Sequence, residues 1–164
     1  MKKEIRINIK SERYETGESF LANLIAASEN EEDFYLDEEI ADKRETIEIN
    51  SVGHLIDDTN RIEIAYEETE LTGMEGSCTS LSFTKDSPGI VSMLRSGTVS
   101  TALVFEAGKR HHCVYKTPVM PFEICVHTIK VDNAIEKSGN LELDYVIEIR
   151  GAMAERTKFS LRIY

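Results

Sequence analysis

The hydrophobic positions of this chain recur every second residue. Ile5, Ile7 and Ile9 alternate with Arg6, Asn8 and Lys10, and Ile62, Ile64 and Tyr66 alternate with Arg61, Glu63 and Glu67. The period returns at Leu81 and Phe83, at Leu103 and Phe105, at Phe122, Ile124 and Val126, at Leu141, Leu143, Tyr145 and Ile147, and at Phe159, Leu161 and Ile163. Successive side chains of a strand point to opposite faces, so this pattern predicts antiparallel strands with one buried and one solvated face. About ten such segments, short and separated by turn residues, predict a sandwich or a barrel. The expected turns are Asp86-Ser87-Pro88-Gly89, Ser96-Gly97, Ala107-Gly108 and Lys137-Ser138-Gly139-Asn140, where glycine supplies the backbone freedom a tight reversal needs. Between Ile49 and Ile56 the phase slips from odd to even positions around Gly53, which predicts a bulge or a sharp bend there.

One segment has a helical period instead. Phe20, Leu21, Leu24 and Ile25 share one face, Thr16 can cap the start, and Glu18 lies near the positive end of the dipole. Residues 17 to 29 are therefore expected to form an amphipathic helix. It is too short to be stable alone, and it is expected to dock over one end of the barrel. An acidic stretch follows: residues 29 to 48 carry ten acidic and two basic side chains, which is −8 of the chain's net −11. A solvated surface connection is the expected role of such a run. A calcium loop needs a glycine near its middle, and no glycine lies between Glu18 and Val52.

Charge and composition narrow the function classes. A net charge of −11 argues against a nucleic-acid partner, which draws on clustered basic residues. No apolar run approaches the ~20 residues of a membrane-spanning helix, and no signal-peptide pattern opens the chain. Three cysteines, Cys78, Cys113 and Cys125, are too few and odd in number for a disulfide framework, so the expected location is cytoplasmic. The 164 residues, 1–164, are expected to form a single domain.

Five short runs in a fixed order carry a family resemblance. They are Tyr66-Glu67-Glu68-Thr69-Glu70-Leu71-Thr72-Gly73-Met74-Glu75-Gly76, Arg95-Ser96-Gly97-Thr98-Val99, Val104-Phe105-Glu106-Ala107-Gly108-Lys109, Tyr115-Lys116-Thr117-Pro118 and Leu141-Glu142-Leu143-Asp144-Tyr145. With these the chain resembles the YwiB-like calycin β-barrel proteins of bacteria, a family without an established activity. The resemblance implies an all-β, antiparallel, lipocalin-like barrel, into which this chain inserts residues 14–44, the helix and acidic stretch, between the first and second strands. It implies no catalytic residue.

The chain carries no nucleophile elbow, phosphate loop or dinucleotide fingerprint, so no enzyme and no cofactor is expected. Glu67 and Glu68, a candidate acid–base pair, would point to opposite faces of a strand. His111, Cys113, Cys125 and His127 form the sharpest local constellation. In a hairpin with an odd loop around Pro118-Val119-Met120, Cys113 sits opposite Cys125 and His111 opposite His127. All four then share one face, with a donor set that zinc accepts. An even loop separates them, and cross-strand packing is the expected role in preference to metal. Tyr66, Arg95 and Tyr115, which the family resemblance picks out, are the candidate ligand-binding residues, because a barrel-lining arginine suits a carboxylate head group. The expected function is a non-catalytic binding module for a small, partly apolar ligand. The alternative is a structural or interaction module with a filled barrel, acting as a homodimer.

Overall fold

The computed structural model describes residues 1–15, 44–72, 75–98, 100–116, 121–149 and 152–164. Ten strands account for most of them: β1 (Lys2–Glu15), β2 (Arg44–Asp57), β3 (Arg61–Glu67), β4 (Cys78–Thr84), β5 (Ile90–Ser96), β6 (Thr101–Glu106), β7 (Arg110–Lys116), β8 (Pro121–Ala134), β9 (Asn140–Ile149) and β10 (Ala152–Ile163). They form one antiparallel sheet in the order β6-β5-β4-β3-β2-β1-β10-β9-β8-β7. Consecutive strands are neighbours throughout, and the first strand pairs with the last. The two ends of this sheet, β6 and β7, meet through a bridge between Ser100 and Lys116 and through the turn after Glu106, so the sheet curls into a nearly closed barrel. No helix among the described residues is long and apolar enough to cross a membrane.

The period-two pattern becomes the inside of the barrel. Ile5, Ile7, Ile9, Ile62, Ile64, Leu81, Phe83, Val91, Met93, Leu103, Phe105, Ile124, Val126, Leu141, Leu143, Phe159 and Leu161 are all buried in one core. Each such side chain contributes about 1.5–3 kcal/mol on leaving water. Ring contact between Phe105 and Tyr145, 4.6 Å between centroids, ties β6 to β9 across the interior. A short helix, α1 (Ile135–Ser138), occupies the β8–β9 turn, where Gly139 ends it in a left-handed conformation. Its Ile135 joins the core, and the neighbouring Asn133 amide donates to the Pro88 carbonyl at 3.0 Å, so the turns gather at this end.

Two expectations need correction or placement. No bulge interrupts β2: its pairing with β1 runs unbroken from Tyr14–Arg44 to Lys2–Ile56. Odd positions stay inward through Gly53, and Val52 is an exposed hydrophobic residue on the outer face. Gly53 is there because β3 approaches closely, and a Cβ would lie 2.8 Å from the Ala65 carbonyl oxygen. The register shifts fall elsewhere, between Thr128 and Lys130 in β8 and between Met153 and Glu155 in β10. The helix expected over residues 17 to 29, and most of the acidic stretch, lie outside the described residues.

Gly97 is the tightest of the turn glycines. Its φ is +128°, and a Cβ would stand 2.5 Å from the Gly76 carbonyl oxygen and 2.8 Å from Ser77 Cα, both backbone atoms. Gly89 has no heavy atom within 4 Å of the same position. Urea unfolding should therefore show Gly97→Ala destabilised by more than about 2 kcal/mol, from strain plus clash. Gly89→Ala should stay within about 1 kcal/mol of the parent. Equal effects at the two sites would contradict the packing of the Gly76 and Gly97 turns.

Candidate functional site

Strand register sets two rows of polar side chains inside the barrel. Tyr66 pairs with Thr79, Thr79 with Arg95, and Arg95 with Thr101, so four neighbouring strands send these side chains inward at one level. On the other half Thr128 pairs with Tyr145, Tyr145 with Thr157, and Thr157 with Arg13. Tyr66, Thr79, Thr101, Thr128, Tyr145 and Thr157 are all buried. At the other end of β3, β4, β5 and β6 the inward residues are apolar: Ile62, Phe83, Val91 and Phe105.

A carboxylate completes this layer. Glu68 follows the last residue of β3 and keeps the inward parity of Ile62, Ile64 and Tyr66, and its side chain is only 2% exposed. Its backbone N–H donates to the Ser77 carbonyl at 2.9 Å, and Thr79 Oγ1 donates to Glu68 Oε1 at 2.5 Å. Arg95 Nε stands 3.7 Å from the same oxygen, with its side chain 11% exposed. That is an ion pair without a hydrogen bond through Nε. Across the barrel Arg13 Nε stands 3.7 Å from Glu155 Oε1, which also accepts from Thr157 Oγ1 at 2.9 Å. These groups surround a pocket of about 20 Å³ lined by Ser11, Arg13, Tyr66, Glu68 and Arg95 on its polar side and by Ile9, Ile47, Ile49 and Phe159 on its apolar side. Such a volume has room for about one water.

Burial and charge tune the two tyrosines. Removal from water, then the Glu68 carboxylate, push the Tyr66 hydroxyl well above its ordinary value, against an opposing pull from Arg95. Burial likewise raises Tyr145, with Arg95 pulling the other way.

Of the residues expected from sequence, Tyr66 and Arg95 are together in this pocket. Tyr115 sits on β7 opposite Phe122, and its side chain lies outside the described residues. Glu68 and Arg13 were missed as site residues, although inward parity along their strands marks both.

The Cys/His constellation is divided. β7 and β8 end and begin at Lys116 and Pro121, paired with one another, so four residues connect them. The even loop sets Cys113 opposite Ile124 and Cys125 opposite His112, so the expected pairing of Cys113 with Cys125 and His111 with His127 does not form. Cys113 packs against the core, and burial raises its thiol. His111 Nε2 stands 3.7 Å from Glu106 Oε2 across the β6–β7 seam. Cys125 and His127 belong to the outer face, beside Arg110 and Glu148. Burial raises Cys125, and burial followed by the Arg110 charge lowers His127. Among the described residues no three His, Cys, Asp or Glu side chains gather as a metal site.

Residues 36–161 match a family described as a domain of unknown function, DUF1934, and the chain belongs to that family. Its fold is similar to the crystal structure of the YwiB protein from Bacillus subtilis, with a TM-score of 0.65 at 18% identity, covering 98% of this chain and 92% of that one. At that identity the likeness carries the fold alone. No curated protein matches the chain.

Arg95→Met leaves the Glu68 carboxylate buried without a cation and should cost about 3–5 kcal/mol in urea unfolding. The double variant with Glu68→Gln should regain part of that loss, and additive losses would show that the two side chains do not interact.

The tyrosines set an alkaline limit. Their folded values lie above the unfolded one, so their contribution to stability is intact below about pH 10 and falls as pH rises past it, when the unfolded chain releases protons first. Absorbance at 295 nm should show two of the six tyrosines ionising only with unfolding. Tyr66→Phe with Tyr145→Phe should remove that delayed fraction.

Proposed function

We propose that this member of the family is a non-catalytic binding module that takes the polar head of a small, partly apolar ligand at one mouth of a calycin-like barrel. The observation that carries this reading is the Glu68–Arg95 pair buried beside an apolar wall in a pocket. Charges removed from water are costly, and well-packed apolar residues stabilise a barrel interior at least as well, as the opposite end of this barrel does. Convergent polar groups on one side of a concave, otherwise apolar site are the usual form of a ligand site. The small volume admits a single polar atom of the ligand in place of a water, with the rest of the ligand outside the enclosed space.

The second reading, a filled structural barrel acting as a homodimer, is favoured by a different observation. Below the polar layer the interior is packed, and the outer face carries Leu94, paired with Ala102, and Val114 on β7, with Leu94 and Val114 each 49% exposed.

Native mass spectrometry of the freshly purified protein, followed by thermal melting with small carboxylates, alcohols and amines, separates the two. A carried-over small molecule, or a raised melting temperature that Tyr66→Phe reduces, supports the binding module. An empty dimer that no compound stabilises supports the filled barrel.

A further inference from the structure

We infer that the outer face of β4–β7 is a self-association surface whose occupant is a second copy of this chain. This rests on the dimer of the second reading and gives it a place; the mouth pocket has no part in it. In a chain that is 30% charged, outward strand positions are where charge belongs, as on β1, where Lys2, Glu4, Arg6, Lys10 and Glu12 face out. The outward residues of β4 and β5 are the even ones from Cys78 to Thr84 and from Ile90 to Ser96, and none of them is charged. Ala102 and Val104 on β6 and Val114 on β7 continue this field, and charge returns at its ends with Glu106, Arg110 and Lys116. Three of its apolar side chains stand in water: Leu94 and Val114 are each 49% exposed, and Ile90 is 40% exposed. Depletion of charge from the middle of a patch and its return at the rim is the composition of a protein interface.

Size and charge select a second copy. Register sets Ser80, Leu94 and Ala102 in one row. Counted from the Ser100–Lys116 bridge, two residues along each strand, Val114 stands beside Ala102 in that row. From β4 to β7 the row therefore runs small, large, small, large. A twofold axis lying along the strands between β5 and β6 reverses this order. Leu94 of each copy then covers Ala102 of the other, and Val114 covers Ser80, which is the self-complementarity an isologous contact needs. The rim agrees. Glu67, Cys78 and Ser96 form the next row, which continues into the Ser100–Lys116 bridge. The same axis brings each Glu67 beside the other copy's Lys116. A net charge of −11 sets two copies against each other, and contact through an uncharged face with opposite charges at its rim limits that repulsion.

The test is sedimentation equilibrium of the full chain over the micromolar range, with circular dichroism melting as the check on folding. The parent should reach twice the chain mass. Leu94→Glu and Val114→Glu, both at exposed side chains, should melt like the parent and weaken self-association by about thirtyfold or more. Leu94→Met should keep the dimer. Ala102→Arg, at another exposed position, fills the place of the second copy's leucine. It should act as Leu94→Glu does, and it stands in for that variant if Leu94→Glu melts early. Val52→Glu, on the outward face of β2 at 53% exposure, should leave association unchanged. A dimer that survives Leu94→Glu and Ala102→Arg, or that Val52→Glu breaks equally, overturns this surface while the dimer itself stands. A chain that stays monomeric overturns both and leaves the binding module untouched.

Discussion

The antiparallel pairing of β1 with β10, from Ile7 opposite Ile163 to Glu15 opposite Glu155, joins the two ends of the chain into one wall, and the rest of the interior inherits its register. Because side chains alternate with a period of two, a slip by one residue at this junction would exchange inside for outside on one strand. If β1 slipped, Ile7 and Ile9 would face water while Asn8 and Lys10 faced the core; if β10 slipped, Leu161 and Ile163 would exchange with Ser160 and Arg162. The junction is also the costliest contact to find, since its partners are separated by nearly the whole chain. Local hairpins can form first, but the barrel has a defined inside only once β1 and β10 have met.

From that register the polar layer follows as a geometric consequence of where particular residues fall in the strands. The same strands that supply Ile62, Phe83 and Val91 at one end supply Tyr66, Thr79 and Arg95 at the other. Fold stability alone does not account for this asymmetry. A second apolar end would avoid desolvating a carboxylate and a guanidinium, and removing one member of such a pair is far more damaging than replacing both. The hydroxyl of Thr79 lowers the cost of keeping Glu68 charged, and Thr157 does the same for Glu155. The layer is thus held together in part internally, and the Nε groups of Arg13 and Arg95 and the hydroxyls of Thr101 and Thr128 are left without partners among the described residues.

Much of this was legible in the residues. The alternation of Ile5-Ile7-Ile9, Ile62-Ile64-Tyr66 and Leu141-Leu143-Tyr145 identifies strands and their inner faces without further help. Two of the pocket residues, Tyr66 and Arg95, were also within reach. Glu68 was not recognised as a pocket residue because it lies beyond the last strand residue, where parity is easily abandoned, and because it was weighed only with Glu67 as an acid–base pair split between two faces. Arg13 was hidden in a segment read for its apolar start. The register of the β7–β8 hairpin could not be read, because it depends on whether the loop between Lys116 and Pro121 is odd or even, and composition does not encode that parity. Gly53 was misread for a different reason: a missing side chain interrupts the hydrophobic pattern exactly as a bulge would, although the ladder beneath it is continuous.

The mouth itself is unequally built, and this bears on how it can recognise anything. On the β3–β5 side the backbone is locked. Glu68 N–H donates to Ser77, Thr98 Oγ1 donates to the Glu75 carbonyl at 3.0 Å, and Gly97 lies against Gly76 with no space for a Cβ. Glu68, Thr79 and Arg95 are therefore held in place before any ligand arrives, which reduces the ordering cost of recognition. On the β1–β10 side Arg13 and Glu155 form a pair of the same length but are partly solvated. A rigid wall facing a more adjustable one lets the mouth fix a polar group on one side and accommodate its approach on the other. Selectivity then resides in the enclosed β3–β5 wall, where a misplaced charge has least water to relieve it.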